Sequence, residues 1–284
     1  MALSLAHLGP AGTYSEEAAK ACAQWLTKTQ DQTVELHSYS SIPATLKALA
    51  LGETDLAIVP SENSVEGSVN MTLDALWQGP DLHIQHAIVR PIANTLITHA
   101  TGLEQIKIIY SHPQALGQCQ QWLQQQLPWA EQRLMTSTTE GLVYVQEDNT
   151  AAAIAAPWAA SLHNLPILAT DIQDFAHNCT RFWILSRSQG DGLPGPDDSH
   201  TSLAFSLKTN EPGSLVKSLN LLGDRQINLS RIESRPSKRA LGDYVFFLDL
   251  EVNGRAATIA EGVEALAAYT DTLKIFGSYH YLYI

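Results

Sequence analysis

Cysteine is scarce in this chain. Cys22, Cys119 and Cys179 are the three in 284 residues, far apart and odd in number. They spell neither a zinc-binding spacing nor a disulfide framework, which fits a reducing cytoplasm. Positive charge is in deficit too. Lys+Arg number 17 against 29 Asp+Glu, a formal net charge of −12. The one basic cluster, Arg235 to Arg239, holds Arg235, Lys238 and Arg239 alone. That balance argues against nucleic acid and against an anionic membrane as partners. An anionic small molecule must then be held by local features rather than drawn by the global field. No apolar run approaches the ~20 residues of a membrane-spanning helix. The N-terminus has no basic segment ahead of an apolar one, so no secretory signal and a cytoplasmic location are expected.

The familiar catalytic signatures are missing as well. There is no G-x-x-x-x-G-K-[ST] loop for nucleotide phosphates and no H-E-x-x-H helix for a metal. Ten histidines are scattered without ligand spacing. No G-x-S-x-G elbow is present, although a Ser-His-Asp triad needs no local motif and stays open. Neither a metal site nor a nucleotide site is therefore expected.

What is present is an ordinary globular composition, 45% hydrophobic, in a length that fits one large or two modest domains. Residues 189–200 are dense in Gly, Pro and Asp and mark a linker. Gly190, Gly192 and Gly195 spell G-x-G-x-x-G there. A dinucleotide fingerprint must follow a strand and open a helix, whereas this stretch carries two prolines and leads into a strand. The expected division is 1–188, the linker 189–200, and a second unit 201–284.

Before the linker, strand and helix signals alternate. Leu3 to Leu8 is apolar and ends at Gly9-Pro10-Ala11-Gly12; Thr13 and Glu16 then form a capping box. Ala18, Cys22 and Trp25 make a helical stripe. Leu56 to Val59 is a buried strand that stops at Pro60. Ile106 to Tyr110 is another, with Pro113 early in the helix that follows. A helix is expected from about Glu140 to Gln146, and short strands at 151–155 and 166–169. The pattern predicts an α/β domain with a largely parallel sheet or sheets. After the linker the order is βαββαβ, a ferredoxin-like unit. Its small core favours self-association.

One feature recurs in the first domain: a strand ends, a hydroxyl or glycine appears, and a helix starts. It happens at Gly9 to Thr13, at Pro60 to Ser68, at Ser111 to Gln114 and at Ser137-Thr138. Such turns present free N–H groups and partial positive charge, where ligands of α/β sheets collect. Each hydroxyl alone is explained as a helix cap. Asn178-Cys179-Thr180-Arg181-Phe182 adds an amide, a hydroxyl and a guanidinium beside an apolar run. A guanidinium beside apolar walls requires an anionic partner. That partner is either a carboxylate guest or, in the plainer reading, a local carboxylate paired with an Arg that begins a strand.

These segments, in this order, resemble the prephenate dehydratase family through essentially the whole chain. The resemblance rests on Gly9-Pro10-Ala11-Gly12-Thr13-Tyr14-Ser15, on Val59-Pro60-Ser61-Glu62-Asn63-Ser64-Val65-Glu66-Gly67-Ser68, on Ser111-His112-Pro113-Gln114-Ala115-Leu116 and on Asn178 to Phe182. The last unit resembles an ACT regulatory module, with Gly213-Ser214-Leu215-Val216 and Glu233-Ser234-Arg235-Pro236. Ser214 stands where the family usually has Ala, and Cys179 occupies a variable position.

The resemblance implies a two-lobed catalytic domain of type 2 periplasmic-binding-protein architecture, followed by the ferredoxin-like ACT module. It implies conversion of prephenate to phenylpyruvate, with no cofactor. Arogenate dehydratase is the near alternative, and a non-catalytic two-lobed binder of small anions the distant one. With no mutase-like helical segment before the first strand, a monofunctional enzyme is expected. Thr180 is implied as donor to the leaving hydroxyl, Arg181 as clamp on a carboxylate, and Glu62 as a support or charge manager. Asn63, Ser64, Ser111, Gln114, Ser137, Thr138, Asn178 and Phe182 are implied substrate contacts. Phenylalanine is the implied effector, held by Gly213, Ser214, Leu215, Val216, Asn228, Leu229, Glu233, Ser234, Arg235 and Pro236 between modules of a homodimer or homotetramer. A chain cut near Gly195 is expected to stay active and lose its response.

Overall fold

The computed structural model describes residues 2–188, 193 and 198–284, so most of the expected linker lies outside the described residues. The first lobe opens with β1 (Leu3–Leu8), α1 (Tyr14–Gln30), β2 (Val34–Tyr39) and α2 (Ile42–Leu51). It continues through β3 (Leu56–Asn63), β4 (Gly67–Ser68), α3 (Asn70–Gln78) and β5 (His83–Pro91). The second lobe holds β6 (Thr95–Thr98), β7 (Ile108–Ser111), α4 (Pro113–Gly117), α5 (Gln120–Gln126) and β8 (Glu131–Leu134). It ends with α6 (Leu142–Glu147), β9 (Ala151–Ala155), α7 (Pro157–His163) and β10 (Ile167–Ala169). The chain then returns to the first lobe as β11 (Cys179–Ser186). The C-terminal unit is β12 (His200–Leu207), α8 (Ser214–Gly223), β13 (Leu229–Pro236), β14 (Tyr244–Glu251), α9 (Ala256–Ala267) and β15 (Thr270–Leu282).

Two sheets organise these elements. The smaller runs β10-β6-β9-β7-β8. The larger runs β13-β14-β12-β15-β5-β11-β3-β1-β2, with β4 beside β3. Both are mixed, which corrects the expectation of a largely parallel sheet. The cause in the larger sheet is β11: returning from the second lobe, it enters antiparallel between β3 and β5. The two crossings between the lobes run side by side, with the Ile92 N–H donating to the Asn178 carbonyl at 2.9 Å.

β3 does not stop at Pro60. Its register against β11 slips between Arg181 and Phe182, so that Phe182 faces Pro60 and Arg181 faces Glu62. Proline is tolerated at such a bulge because no ladder N–H is required there. The strand therefore carries Glu62 and Asn63 into the sheet rather than onto a loop.

The βαββαβ order after the linker is as expected, with strands arranged β13-β14-β12-β15. The unit is not a detached bead. β15 pairs in parallel with β5, placing His280 opposite His86. Gly277 permits this approach: its φ is +125°, and a Cβ there would stand 2.7 Å from the Ile84 carbonyl oxygen. One apolar cluster joins the two units, since Val245, Phe247, Phe276 and Tyr279 pack with Leu46, Leu73, Trp183 and Leu185. Each such fully buried aliphatic or aromatic side chain contributes about 1.5–3 kcal/mol. A cut near Gly195 would open this shared core, so the expected separability does not follow from the fold. No helix among the described residues is long and apolar enough to cross a membrane.

Candidate active site

A cleft of about 740 Å³ lies between the two lobes. The first lobe contributes the turn before α1, where Thr13 caps the helix by accepting from the Glu16 N–H. The reciprocal bond is displaced by one residue: Glu16 Oε2 accepts from the Gly12 N–H at 2.6 Å. Gly12 takes φ +83°, and a Cβ there would meet Thr139 of the second lobe at 2.8 Å. Ser41 caps α2 and lines the same wall. The second lobe contributes His112 and Gln114 at the start of α4, with Thr136, Ser137 and Thr138. No Lys or Arg lines the cleft among the described residues. The groups there that offer partial positive charge are helix N-termini and amide and hydroxyl hydrogens.

Thr180 and Phe182 form the floor. Thr180 is 9% exposed, and its Oγ1 accepts a hydrogen bond from Asn63 Nδ2 at 3.0 Å. The Asn63 amide has one possible orientation. Its Oδ1 accepts from the Val65 and Glu66 N–H groups, both at 3.0 Å. Its Nδ2 must then donate toward Thr180, and also toward Asn178 Oδ1 at 2.8 Å. With its acceptor side occupied, the Thr180 hydroxyl keeps its own hydrogen for a guest. Asn178 lies behind this pair, donating to Gln118 Oε1 at 3.0 Å.

Of the expected substrate contacts, Asn63, Gln114, Ser137, Thr138 and Phe182 line the cleft, as does the expected donor Thr180. Ser64, Ser111 and Asn178 do not. Ser111 is fully buried and donates to the Ile154 carbonyl at 2.6 Å. Ser64 Oγ accepts from the Cys179 N–H at 3.0 Å, bracing the start of β11. These side chains support the floor and walls from behind.

Arg181 requires a correction. Successive side chains of a strand point to opposite faces. Thr180 and Phe182 face the cleft, so Arg181 faces the C-terminal unit. Its Nη2 pairs with Glu62 and lies 2.9 Å from Asp249 Oδ2. Its Nη1 donates to the Tyr281 hydroxyl at 2.6 Å. The guanidinium therefore does not grip a guest in the cleft. The plainer reading, a carboxylate partner within the protein, is what the geometry gives. Glu62 stands on that same face, opposite Arg181, and not in the cleft. Burial alone would raise the Asp249 carboxyl, but Arg231 and Arg181 hold it below the ordinary carboxylate range.

The expected effector residues divide into two places. Gly213, with φ +87°, caps α8 without a side-chain bond, and Ser214, Leu215 and Val216 form its first turn. Leu229, Glu233, Ser234, Arg235 and Pro236 lie along β13, with Asn228 just before it. Arg235 pairs with Asp74 of α3 at 3.0 Å, and Glu233 accepts from Ser68 of β4 at 3.2 Å. Glu233 to Pro236 thus belong to a strand held against the first lobe.

Sequence reasoning passed over Tyr14, Asn94 and Gln118, all in the cleft lining. Tyr14 lies within a quoted motif, and its hydroxyl donates to the Ala93 carbonyl at 2.7 Å beside the lobe crossing. Asp249 was also passed over, although a lone carboxylate inside Val245 to Leu250 is a visible anomaly. Cys22 and Cys119 are buried, and burial pushes both thiols up to about 12, which makes them inert. No group of three or more His, Cys, Asp or Glu among the described residues could hold a metal ion.

The family model of prephenate dehydratase matches residues 5–190. A prephenate dehydratase of Lactococcus lactis subsp. cremoris is 35% identical over 281 residues, covering 98% of this chain and 97% of that one. The solved structure of a prephenate dehydratase from Arthrobacter aurescens, in complex with L-Phe, superposes with a TM-score of 0.85. Its identity is 33%, over 98% of this chain and 90% of that one. A structure of GqqA, described as a novel type of quorum quenching acylase, superposes with a TM-score of 0.77 at 25% identity, over 97% of each chain.

Proposed function

Because the chain belongs to the prephenate dehydratase family, we propose that the cleft takes prephenate and converts it to phenylpyruvate. The enzyme is a carbon–oxygen lyase. Prephenate carries a carboxylate and a pyruvyl group on one ring carbon and a hydroxyl on the carbon opposite. The bond to the ring carboxylate breaks, its electron pair enters the ring, and the hydroxyl leaves with a proton as water. Carbon dioxide, water and phenylpyruvate are the products. Aromatisation drives the change, so the difficult event is departure of the hydroxyl, which calls for a proton or a strong hydrogen bond.

The observation that carries this reading is the Thr180–Asn63 pair on the cleft floor. The Thr180 hydroxyl, its hydrogen left free by Asn63, donates to the departing oxygen. A Thr hydroxyl is a weak acid, so electrostatic positioning contributes as much as proton transfer. Phe182 backs the ring. The starts of α1 and α2 and the amides and hydroxyls of the second lobe hold the two carboxylates. The lobes, in the arrangement of a type 2 periplasmic binding protein, close over the substrate. The partial charge of a helix N-terminus suits a dianion in a cleft whose described lining holds no Lys or Arg.

Purified protein incubated with prephenate and with arogenate, then assayed for phenylpyruvate and phenylalanine, tests the assignment. Failure to form phenylpyruvate from prephenate would overturn it.

We further propose that residues 201–284 are an ACT regulatory module and that phenylalanine is its effector. The L-Phe in the Arthrobacter relative supports this. So does Gly213, around which a Cβ would meet nothing within 4 Å, leaving the first N–H groups of α8 approachable. The paired modules of a homodimer or homotetramer form the pocket. Phenylalanine should lower turnover even at saturating prephenate. Inhibition that vanishes at saturating substrate would mean simple competition in the cleft. The enzyme is read as cytoplasmic, with no nucleic acid or membrane partner and no cofactor.

A further inference from the structure

Where the first lobe meets the C-terminal unit, Arg181, Asp249, Arg231 and Glu62 form a charge cluster that the reaction above does not use. Asp249 is fully buried and accepts from the Ser202 hydroxyl. Arg231 Nε holds its Oδ2 at 2.9 Å, the same oxygen that lies 2.9 Å from Arg181 Nη2. Both guanidiniums lie over the buried Trp183 ring, at 5.3 and 5.9 Å from its centroid.

Stability alone does not account for such a cluster, because apolar side chains of similar volume often fold as stably. What an ion pair adds is direction. Thr180 faces Asn63, and the adjacent pair, Arg181 and Glu62, faces the other way. Fixing the second pair fixes the rotation of β11 and β3 about their axes. That rotation sets where the Thr180 hydroxyl enters the cleft. Arg181 has contacts on both units: Glu62 on β3, and Asp249 and Tyr281 from β14 and β15.

We propose that Asp249 is a positioning residue for the reaction: through Arg181 it sets the angle of the Thr180 hydroxyl, so the C-terminal unit contributes to turnover with no effector bound. The proposal rests on the reading that Thr180 acts on the leaving hydroxyl.

The test uses the full chain, with rates normalised to the folded fraction. Asp249→Asn should lower kcat about tenfold or more, since a displacement of about 1 Å costs up to about 10²-fold. KM for prephenate should stay within about twofold, because Asp249 touches no wall of the cleft. Arg181→Gln should behave alike, and the double variant should be no worse than the poorer single one, as for residues acting through one contact. Tyr281→Phe removes only the 2.6 Å bond to Arg181. It should fold normally and lose about threefold in kcat, less than the full worth of a charge-assisted bond because Glu62 and Asp249 still hold the guanidinium, and it decides the matter if Asp249→Asn does not fold. Thr180→Ala is run alongside. Wild-type turnover in Thr180→Ala would remove the proposed reaction role itself. Loss there, with wild-type kcat in Asp249→Asn or, failing its folding, in Tyr281→Phe, would overturn this inference alone and leave the cluster a structural tie.

Discussion

Asn63→Asp is nearly isosteric and reverses the polarity of one atom. Asn63 Nδ2 now faces three oxygens: Thr180 Oγ1 at 3.0 Å, Asn178 Oδ1 at 2.8 Å and the Cys179 carbonyl at 3.2 Å. The substituted carboxylate, when ionised, keeps the Val65 and Glu66 N–H bonds with one oxygen and turns the other on those acceptors. The Thr180 hydroxyl is the one group that can answer by rotating its hydrogen toward the carboxylate. Asn178 cannot flip without losing its bond to Gln118. The hydrogen meant for the substrate is then withdrawn. Losing a hydrogen bond to a developing charge costs about 1.5–3 kcal/mol, and each ~1.4 kcal/mol is tenfold in rate. We expect kcat to fall roughly 10- to 100-fold. KM should rise too. A new unit charge about 6 Å from a carboxylate, at an effective dielectric of about 20, repels by about 3 kcal/mol. The assay is phenylpyruvate formation across pH, with circular dichroism to confirm the fold. When protonated, the introduced carboxyl donates as the amide did, and its buried, cation-poor setting raises its pKa, so activity should recover from about pH 8 toward pH 5. Wild-type turnover at the alkaline end would refute the donor argument, and so would a loss that does not change with pH.

Thr180→Ala should lower kcat by ~10²-fold or more with little change in KM, since the hydroxyl acts mainly in the transition state; substrate titration separates the two. Chelation should leave activity unchanged, and activity lost to a chelator and restored by added metal would contradict the cofactor-free mechanism. Burial, then the neighbouring His280, lowers His86 to about 4. The unfolded chain, at about 6.5, therefore binds the proton first, and stability present above pH 6.5 is lost as pH falls toward 4. The shift corresponds to about 3 kcal/mol; denaturant titrations at the two ends of that range should show it, and His86→Gln should flatten it. Gly277→Ala should cost about 2–4 kcal/mol through its φ of +125° and the clash with Ile84, read as a lowered Tm.

The sequence by itself determined most of the local structure and the family. Helix caps, apolar stripes and apolar runs depend on neighbours a few residues away, so α1, β9 and the βαββαβ order of the last unit could be read directly. The charge balance was legible too: with 17 Lys+Arg against 29 Asp+Glu, an anion must be held by local features rather than by the global field. Adjacency in sequence misled at one point. Thr180 and Arg181 are neighbours in the chain, yet the two-residue period of a strand sends them to opposite faces. Which face is the cleft and which the interior depends on what packs against β11, and that is decided by elements far away in sequence. The C-terminal unit supplies Asp249, Arg231 and Tyr281 to one side of β11. The return of the chain after the second lobe places β11 antiparallel between β3 and β5, a bulge at Pro60 sets its register, and only that register pairs Asn63 with Thr180. A buried charge is tolerable only where its partner arrives, and the sequence does not state who arrives.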